Sequence, residues 1–463
     1  MTAAAVAHPV AEQAPVLAPD ATPVSITDAV SDVVLLRRDA LSGTALRAWW
    51  IALTIALALT GLFAASIYWV LYKGVGVWGL NIPVAWSFAI ANYVWWIAIG
   101  MGGTFISAAL YLMRADWRAA INRYAEAMTL FAVCVSGIFP ILHLGRPYFF
   151  YWLFPYPDTM NVWPQWRSSL FWDFAAILAY LLFSAMYWYS GLIPDLATLR
   201  DRARTRGKQV FYGLLALGWR GEARQWRQMD RLMLLMAAMA VPLVFSVHSM
   251  VALDFSEALL PGWHSTIFPP FFVVGALHSG FAMVLLLGIP IRFAFGLQQM
   301  ITPRHLDNMA RLILATSLVM AYCYGAEIFT AFYSGDLQEI STAQSRFSGA
   351  YAWVYWSTWV CNVLAVQILW WPRMRRSQPV LLAVAALILI GMWLERFMLI
   401  VTSLYQGVVP SSWGMFHPTF WDFATLAGSI GLFMLLLLLF VRWLPVLSMH
   451  ELRKLAHERE ADS

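Results

Sequence analysis

Apolar residues in this chain come in long runs and do not alternate with polar ones. Ten stretches, at about 49–71, 84–112, 122–143, 168–190, 231–254, 270–294, 309–333, 350–371, 379–403 and 419–442, are each almost wholly apolar. Roughly 20 such residues let an α-helix cross a bilayer. Backbone groups in lipid must be satisfied within the segment, so the pattern predicts ten transmembrane helices. The weak period-two alternation of an outer-membrane barrel is absent. The polar connections are short except for a basic one at about 191–230.

Composition agrees with this reading. Of 463 residues, 61% are hydrophobic and only 12% are charged. That is too few charges to cover a water-facing surface, so a soluble enzyme and a disordered chain are both excluded. The 25 tryptophans suit the two membrane interfaces. Cys134, Cys323 and Cys361 stand singly in apolar stretches, so neither a disulfide framework nor a chain-borne zinc or iron–sulfur site is expected. Residues 1–45 lack the apolar core of a secretory signal and read as a flexible, Ala/Pro-rich cytoplasmic tail.

The net charge of +5 does not imply nucleic acid; its placement sets an orientation. With the N-terminus inside, 25 of the 30 Lys and Arg fall on cytoplasmic segments. Four (Lys73, Arg146, Arg167, Arg346) fall outside, and Arg396 lies within a span. The positive-inside rule therefore gives N-in/C-in. The expected organisation is a tail (1–45), a half with spans one to five (46–255) holding the basic loop 191–230, a half with spans six to ten (256–445), and a C-terminal cytoplasmic tail (446–463). Within the loop, Gly218-Trp219-Arg220-Gly221-Glu222-Ala223-Arg224-Gln225-Trp226-Arg227 reads as an interfacial helix or a lipid-facing patch, with a docking site for a soluble partner as the rival. Gly100, Gly102, Gly103 and Ser107 in the second span predict close helix packing. One internal echo, Phe171-Trp172-Asp173-Phe174-Ala175 and Phe420-Trp421-Asp422-Phe423-Ala424, opens two outside-to-inside helices, and helix-start chemistry alone explains so short a match.

Ionisable residues inside spans are costly and by default suggest function. Here they are Asp173, Asp254, Glu257, Glu327, Glu395 and Arg396, with His143, His248 and His278. The orientation places them in about the outer third, on six spans, whereas the inner halves hold little beyond Glu126. A hydroquinone losing two electrons must lose two protons, and it needs an apolar slot with an acceptor near each hydroxyl; His and Asp are suitable acceptors. Each residue also has a plain reading. Asp173 could cap a helix, His143 could be an interfacial structural residue, and Glu395 and Arg396 could neutralise each other. His248 and Asp254 are about 600° of helix rotation apart and do not form a dyad. Glu327 follows Tyr324 by three residues on one face, which suits a proton path or a packed hydrogen bond. Intrinsic haem would need paired histidines at matched depth, which one His on each of three spans does not supply. A secondary transporter would need broken midplane helices, and these are not evident.

Two longer stretches carry a resemblance. Val247-His248-Ser249-Met250-Val251-Ala252-Leu253-Asp254-Phe255-Ser256 and Gly262-Trp263-His264-Ser265-Thr266-Ile267-Phe268-Pro269-Pro270, with His143-Leu144-Gly145-Arg146-Pro147, resemble the polysulfide reductase membrane subunit (NrfD-like) superfamily. Within it the likeness is greatest to the ActC subunit of bacterial alternative complex III, over roughly residues 45–445. The resemblance implies two four-helix bundles, of spans two to five and six to nine, plus two peripheral helices. It implies a multi-pass subunit of the bacterial inner membrane without haem, iron–sulfur cluster or metal, catalytic only within a quinol:cytochrome c oxidoreductase complex. Menaquinol would be oxidised near the outer face and its electrons passed to an iron–sulfur subunit. Multihaem cytochrome c subunits, a second NrfD-like subunit and lipid would be the other partners. Carried over by position, His143, Asp173 and Asp254 would line the quinol site with Arg396 near it. Glu327, Tyr324, Glu395, His248 and His278 would belong to a proton path. The alternatives are a non-catalytic anchor and proton-conducting subunit of the ActF kind, and a quinone-reactive anchor of the polysulfide reductase type.

Overall fold

The computed structural model describes residues 43–153, 166, 168–406 and 409–454. Among these the secondary structure is helical, without strands. Ten helices are long and apolar enough to cross a membrane: α1 (Gly43–Lys73), α2 (Phe88–Leu112), α3 (Asn122–His143), α4 (Ser169–Asp201), α5 (Ala223–Ser256), α6 (Phe268–Ala294), α7 (Pro303–Tyr333), α8 (Ala352–Trp370), α9 (Gln378–Leu404) and α10 (Phe420–Trp443). The expected flexible tail 1–45 falls almost entirely outside the described residues.

Helices α2 to α5 pack as one ring, α2 on α3, α3 on α4, α4 on α5 and α5 back on α2. Helices α6 to α9 form a second ring in the same way, and α1 pairs with α10 along the side. The rings meet through α2 against α6 and α9, and through α5 against α6. Burial follows this plan, because α2 and α6 lie at the centre and are almost wholly buried, whereas α1 and α4 turn apolar faces outward. Exposed apolar side chains such as Leu182, Met186, Leu235 and Met239 are what a lipid-facing surface requires.

The central seam depends on missing side chains. A Cβ built on Gly102 of α2 would lie 2.4 Å from the Gly280 Cα of α6, and one on Gly103 would lie 2.3 Å from the Ala125 carbonyl oxygen of α3. Only glycine lets these backbones approach so closely, which accounts for the small-residue run in the second span.

Two connections differ from the sequence expectation. The basic segment 191–230 is mostly helical: α4 runs on to Asp201, a short amphipathic helix covers Arg206–Leu215, and α5 begins at Ala223. The segment 218–227 is thus a turn plus the capped start of α5, with Glu222 and Gln225 forming a capping box. Residues 446–454 are not a free tail. Val446, Leu447, Met449 and Leu452 are buried against the end of the first ring, because apolar residues there have a surface to cover.

Candidate functional site

At the end of the first ring away from the basic connections, three helices bring oxygen atoms together. The Tyr93 hydroxyl of α2 donates a short hydrogen bond to Asp173 Oδ2 of α4. The Asp173 and Asp254 carboxyls lie against each other, with Ser169 beside Asp254. Ser136 of α3 donates to the Tyr93 carbonyl at 3.0 Å and ties α3 to this corner. Asp173 is buried, whereas Asp254 and His143 are part-buried towards the helix ends. His143, on the last turn of α3, stands edge-on to Trp86 with ring centroids 6.0 Å apart. Trp86 also packs on Phe255 (5.9 Å) and Trp263 (5.6 Å), so an aromatic wall joins His143 to the end of α5.

Three atoms here are buried with no donor opposite them: Asp173 Oδ1, Asp254 Oδ1 and His143 Nδ1; the two carboxyls can partner each other only by sharing a proton. Such orphans are uncommon and mark places where something else supplies the partner.

Arg396 is elsewhere. Its guanidinium lies 3.0 Å from Glu395 and 4.1 Å above the Phe272 ring, with His248 close enough to feel its charge. Tyr324 donates a short hydrogen bond to Glu395, and Asn362 Nδ2 donates to the Tyr324 hydroxyl at 2.8 Å. Asn362 sits in a π-helical turn, Val360–Leu364, of the kind often found at functional positions. His278 Nδ1 contacts Thr316 Oγ1 at 2.8 Å, and the Asn362 backbone lies beside the same ring. His248, His278, Tyr324, Glu395 and Arg396 thus form a second buried group where the rings meet, and the Phe255, Phe271 and Phe272 rings pack together next to it.

Glu327 joins neither group. It pairs with Arg346 at 2.6 Å. Arg346, on the outer helix Leu337–Ser348, also donates to Thr402, Ser403 and the Gly262 carbonyl. The Tyr324–Glu327 spacing places both on α7, but their partners lie in different directions.

The basic end holds a network that the linear sequence does not reveal. Arg123 Nη2 reaches Asp195 at 2.9 Å and the Gly191 carbonyl at 2.7 Å. Arg118 pairs with Glu451 at 2.6 Å, Asn122 donates to Glu451 at 2.8 Å, and the His450 backbone N–H donates to Asp195. Ser107 donates to Glu126 at 2.5 Å, and Tyr187 stands beside them. These charges look like loop and tail residues because their partners lie far apart in sequence. Asp195, an acid at the apolar start of the basic stretch, is the available signal. Among the described residues no three His, Cys, Asp or Glu gather as a metal site.

The family profile described as "Polysulphide reductase, NrfD" matches residues 76–408. These bounds contain α2 to α9, both four-helix rings, and leave out the α1/α10 pair. Among similar proteins, a putative membrane subunit of a dimethyl sulfoxide reductase from Halobacterium salinarum is 25% identical, over 90% of this chain and 95% of its own. A selenate reductase subunit from Mesobacillus selenatarsenatis is 22% identical, over 82% of this chain and 90% of its own. The Hdr-like menaquinol oxidoreductase integral membrane subunit of Archaeoglobus fulgidus is 22% identical over 69% of each chain.

Proposed function

We propose that this chain, which belongs to the polysulphide reductase NrfD family, is the quinol-oxidising membrane subunit of an electron-transfer complex. The observation that carries the reading is the orphaned set Asp173 Oδ1, Asp254 Oδ1 and His143 Nδ1 around one aromatic-walled corner of the first ring. Menaquinol is the substrate class, in keeping with the name of the Archaeoglobus relative. Oxidation of a quinol releases two protons and two electrons. Asp173, held by Tyr93, takes one proton, and Asp254 takes the other. His143 orients a hydroxyl or relays its proton outward. The electrons pass to an iron–sulfur subunit docked on the same face. In the alternative complex III arrangement they continue to multihaem cytochrome c subunits, with a second NrfD-like subunit alongside in the bacterial inner membrane.

Arg396 does not stand beside this acid pair, since its partners are Glu395 and Phe272 and not the aspartates. A second reading is favoured by the buried Tyr324–Glu395–Arg396 group with His248 and His278, in which both His248 ring nitrogens and Arg396 Nε and Nη2 lack a hydrogen-bond partner in the protein. Internal water binds at unmatched buried polar groups where there is room for it, and a hydrated file between the rings would conduct protons in an anchoring subunit that binds no quinol.

Photolabelling of the purified complex with an azido-naphthoquinone separates the two. The first reading expects label on α2, α4 or α5 near Tyr93, Asp173 and Asp254, lost on competition with menaquinol. Label only on another subunit overturns it and leaves the anchor. The proteins that co-purify identify the complex: multihaem cytochromes mark the alternative complex III form, and a terminal reductase marks the form named for the Halobacterium and Mesobacillus relatives.

A further inference from the structure

A cleft of about 480 Å³ opens at the basic end of the second ring, between the start of α7 and the α8–α9 connection. Its lining includes Arg304, Asp307, Asn308, Arg311 and Arg376. Asp307 is the only carboxylate in that lining, and it is already shared. Arg375 Nε lies 2.9 Å from Oδ1, and Arg311 lies 2.7 Å from Oδ2. Arg304 and Arg376 are exposed and have no carboxylate partner among the described residues. Two uncompensated guanidiniums therefore face one concavity. Elsewhere at this end, the Arg118 and Arg123 guanidiniums each meet an acid.

The surroundings are those of a membrane interface. Trp370 and Trp371, at the end of α8 beside the cleft, are 55% and 62% exposed, and indole rings favour the headgroup level. From there the outer faces of α7 and α8 carry exposed Leu318, Val319 and Leu364 towards the membrane interior. The result is a cationic pocket at headgroup depth above an apolar strip.

We propose that this cleft binds the phosphate headgroup of an anionic phospholipid, with Arg304 and Arg376 as the principal contacts and the acyl chains laid along α7 and α8. Guanidinium groups match phosphate geometry bidentately. Basic pockets between spans on the cytoplasmic side are where anionic headgroups bind. Inorganic phosphate shares the headgroup chemistry but has no use for the strip below.

Native mass spectrometry of the full-length detergent-purified chain tests this with three probes: phosphatidylglycerol, phosphatidylcholine and inorganic phosphate. Phosphatidylglycerol is expected to bind more tightly than phosphatidylcholine. An arginine near the surface contributes roughly a fivefold gain in affinity for an anionic lipid, so R304Q/R376Q is expected to weaken phosphatidylglycerol roughly 25-fold and leave phosphatidylcholine unchanged. Both side chains are exposed and outside the Asp307 pairs, so the variant should keep the wild-type melting temperature. R373Q, which removes an exposed charge outside the lining, is the control and should change nothing. Equal binding of the two lipids, retained selectivity in the double variant, or an equal loss in R373Q overturns the site. Inorganic phosphate that binds alone through the same arginines and displaces phosphatidylglycerol overturns the lipid assignment.

Discussion

The carboxyl of Asp173 on α4 lies against that of Asp254 on α5, and the Tyr93 hydroxyl of α2 bonds the first of them. Placing two acids together in an apolar bundle sacrifices stability, and on the proposed function that cost serves the two proton transfers.

Removing the acceptor should therefore remove turnover. Asp173→Asn keeps shape and hydrogen bonding but cannot take a proton, and it is expected to lower quinol-dependent reduction of the electron acceptor by roughly 10²–10⁴-fold. Tyr93→Phe should lower it less, since Tyr93 positions Asp173. Steady-state turnover of the assembled complex with a menaquinol analogue measures both; wild-type rates in the Asn variant would remove Asp173 from the mechanism.

The seam between the rings should not tolerate a methyl group. Gly102→Ala would push a Cβ to 2.4 Å from the Gly280 Cα, where no rotamer offers relief. A loss of about 1–3 kcal/mol is expected from such overpacking. Thermal unfolding in detergent reads this, and an unchanged midpoint would mean that the rings are not held by this contact.

Arg346 closes the outer end of the second ring. Its pair with Glu327 is largely buried, with side-chain exposures of 6% and 15%. Arg346→Met would leave an uncompensated buried acid, at a cost on the order of 3 kcal/mol. The double variant Arg346→Met/Glu327→Leu should recover most of that loss, and a double-mutant cycle of melting temperatures would show whether the two residues are coupled.

The folded C-terminal segment should respond to acid. Burial alone would raise the Glu451 carboxyl, but Arg118, His450 and Arg123 together outweigh it, and Glu451 is held below the ordinary range. A depressed folded value means that the stabilisation is complete above the unfolded pKa of about 4.3 and fades as pH falls through the folded value. Proteolysis within 446–454 is expected to be slow at neutral pH and to speed up in the acid range below about pH 4. Glu451→Gln should digest similarly at both pH values; a wild-type chain equally resistant at both would separate the segment from this pair.

How much of this is legible in the sequence differs from residue to residue. The ten spans stand out because each has to be apolar throughout its length, and their positions agree with the helices to within a few residues, apart from longer ends at α1, α4, α5 and α7. Candidate acids are visible because ionisable residues in spans are rare. Their partners are not. Glu327 and Arg396 share the same predicted depth, yet one pairs with Arg346 on an outer helix and the other with its neighbour Glu395. Tyr93 escapes notice because a tyrosine in an aromatic-rich chain gives no signal until a carboxyl is placed beside it.

The two copies of Phe-Trp-Asp-Phe-Ala show the division. In the second, Asp422 folds back to accept from the Thr419 backbone N–H at 2.8 Å and caps α10. In the first, α4 begins at Ser169 without such a cap, and Asp173 turns to Tyr93 and Asp254. The sequence by itself determined that both are helix-opening segments in a membrane, because that follows from local hydrophobicity and length. Which aspartate would cap and which would meet a tyrosine and a second acid was decided only by tertiary packing: α4 lies against α3 and α5 and reaches Tyr93 of α2, and α10 lies in the peripheral pair with α1. Hydrophobicity is carried by each residue and can be read along a line, whereas the role of a buried acid is set by what lies within a hydrogen bond of it.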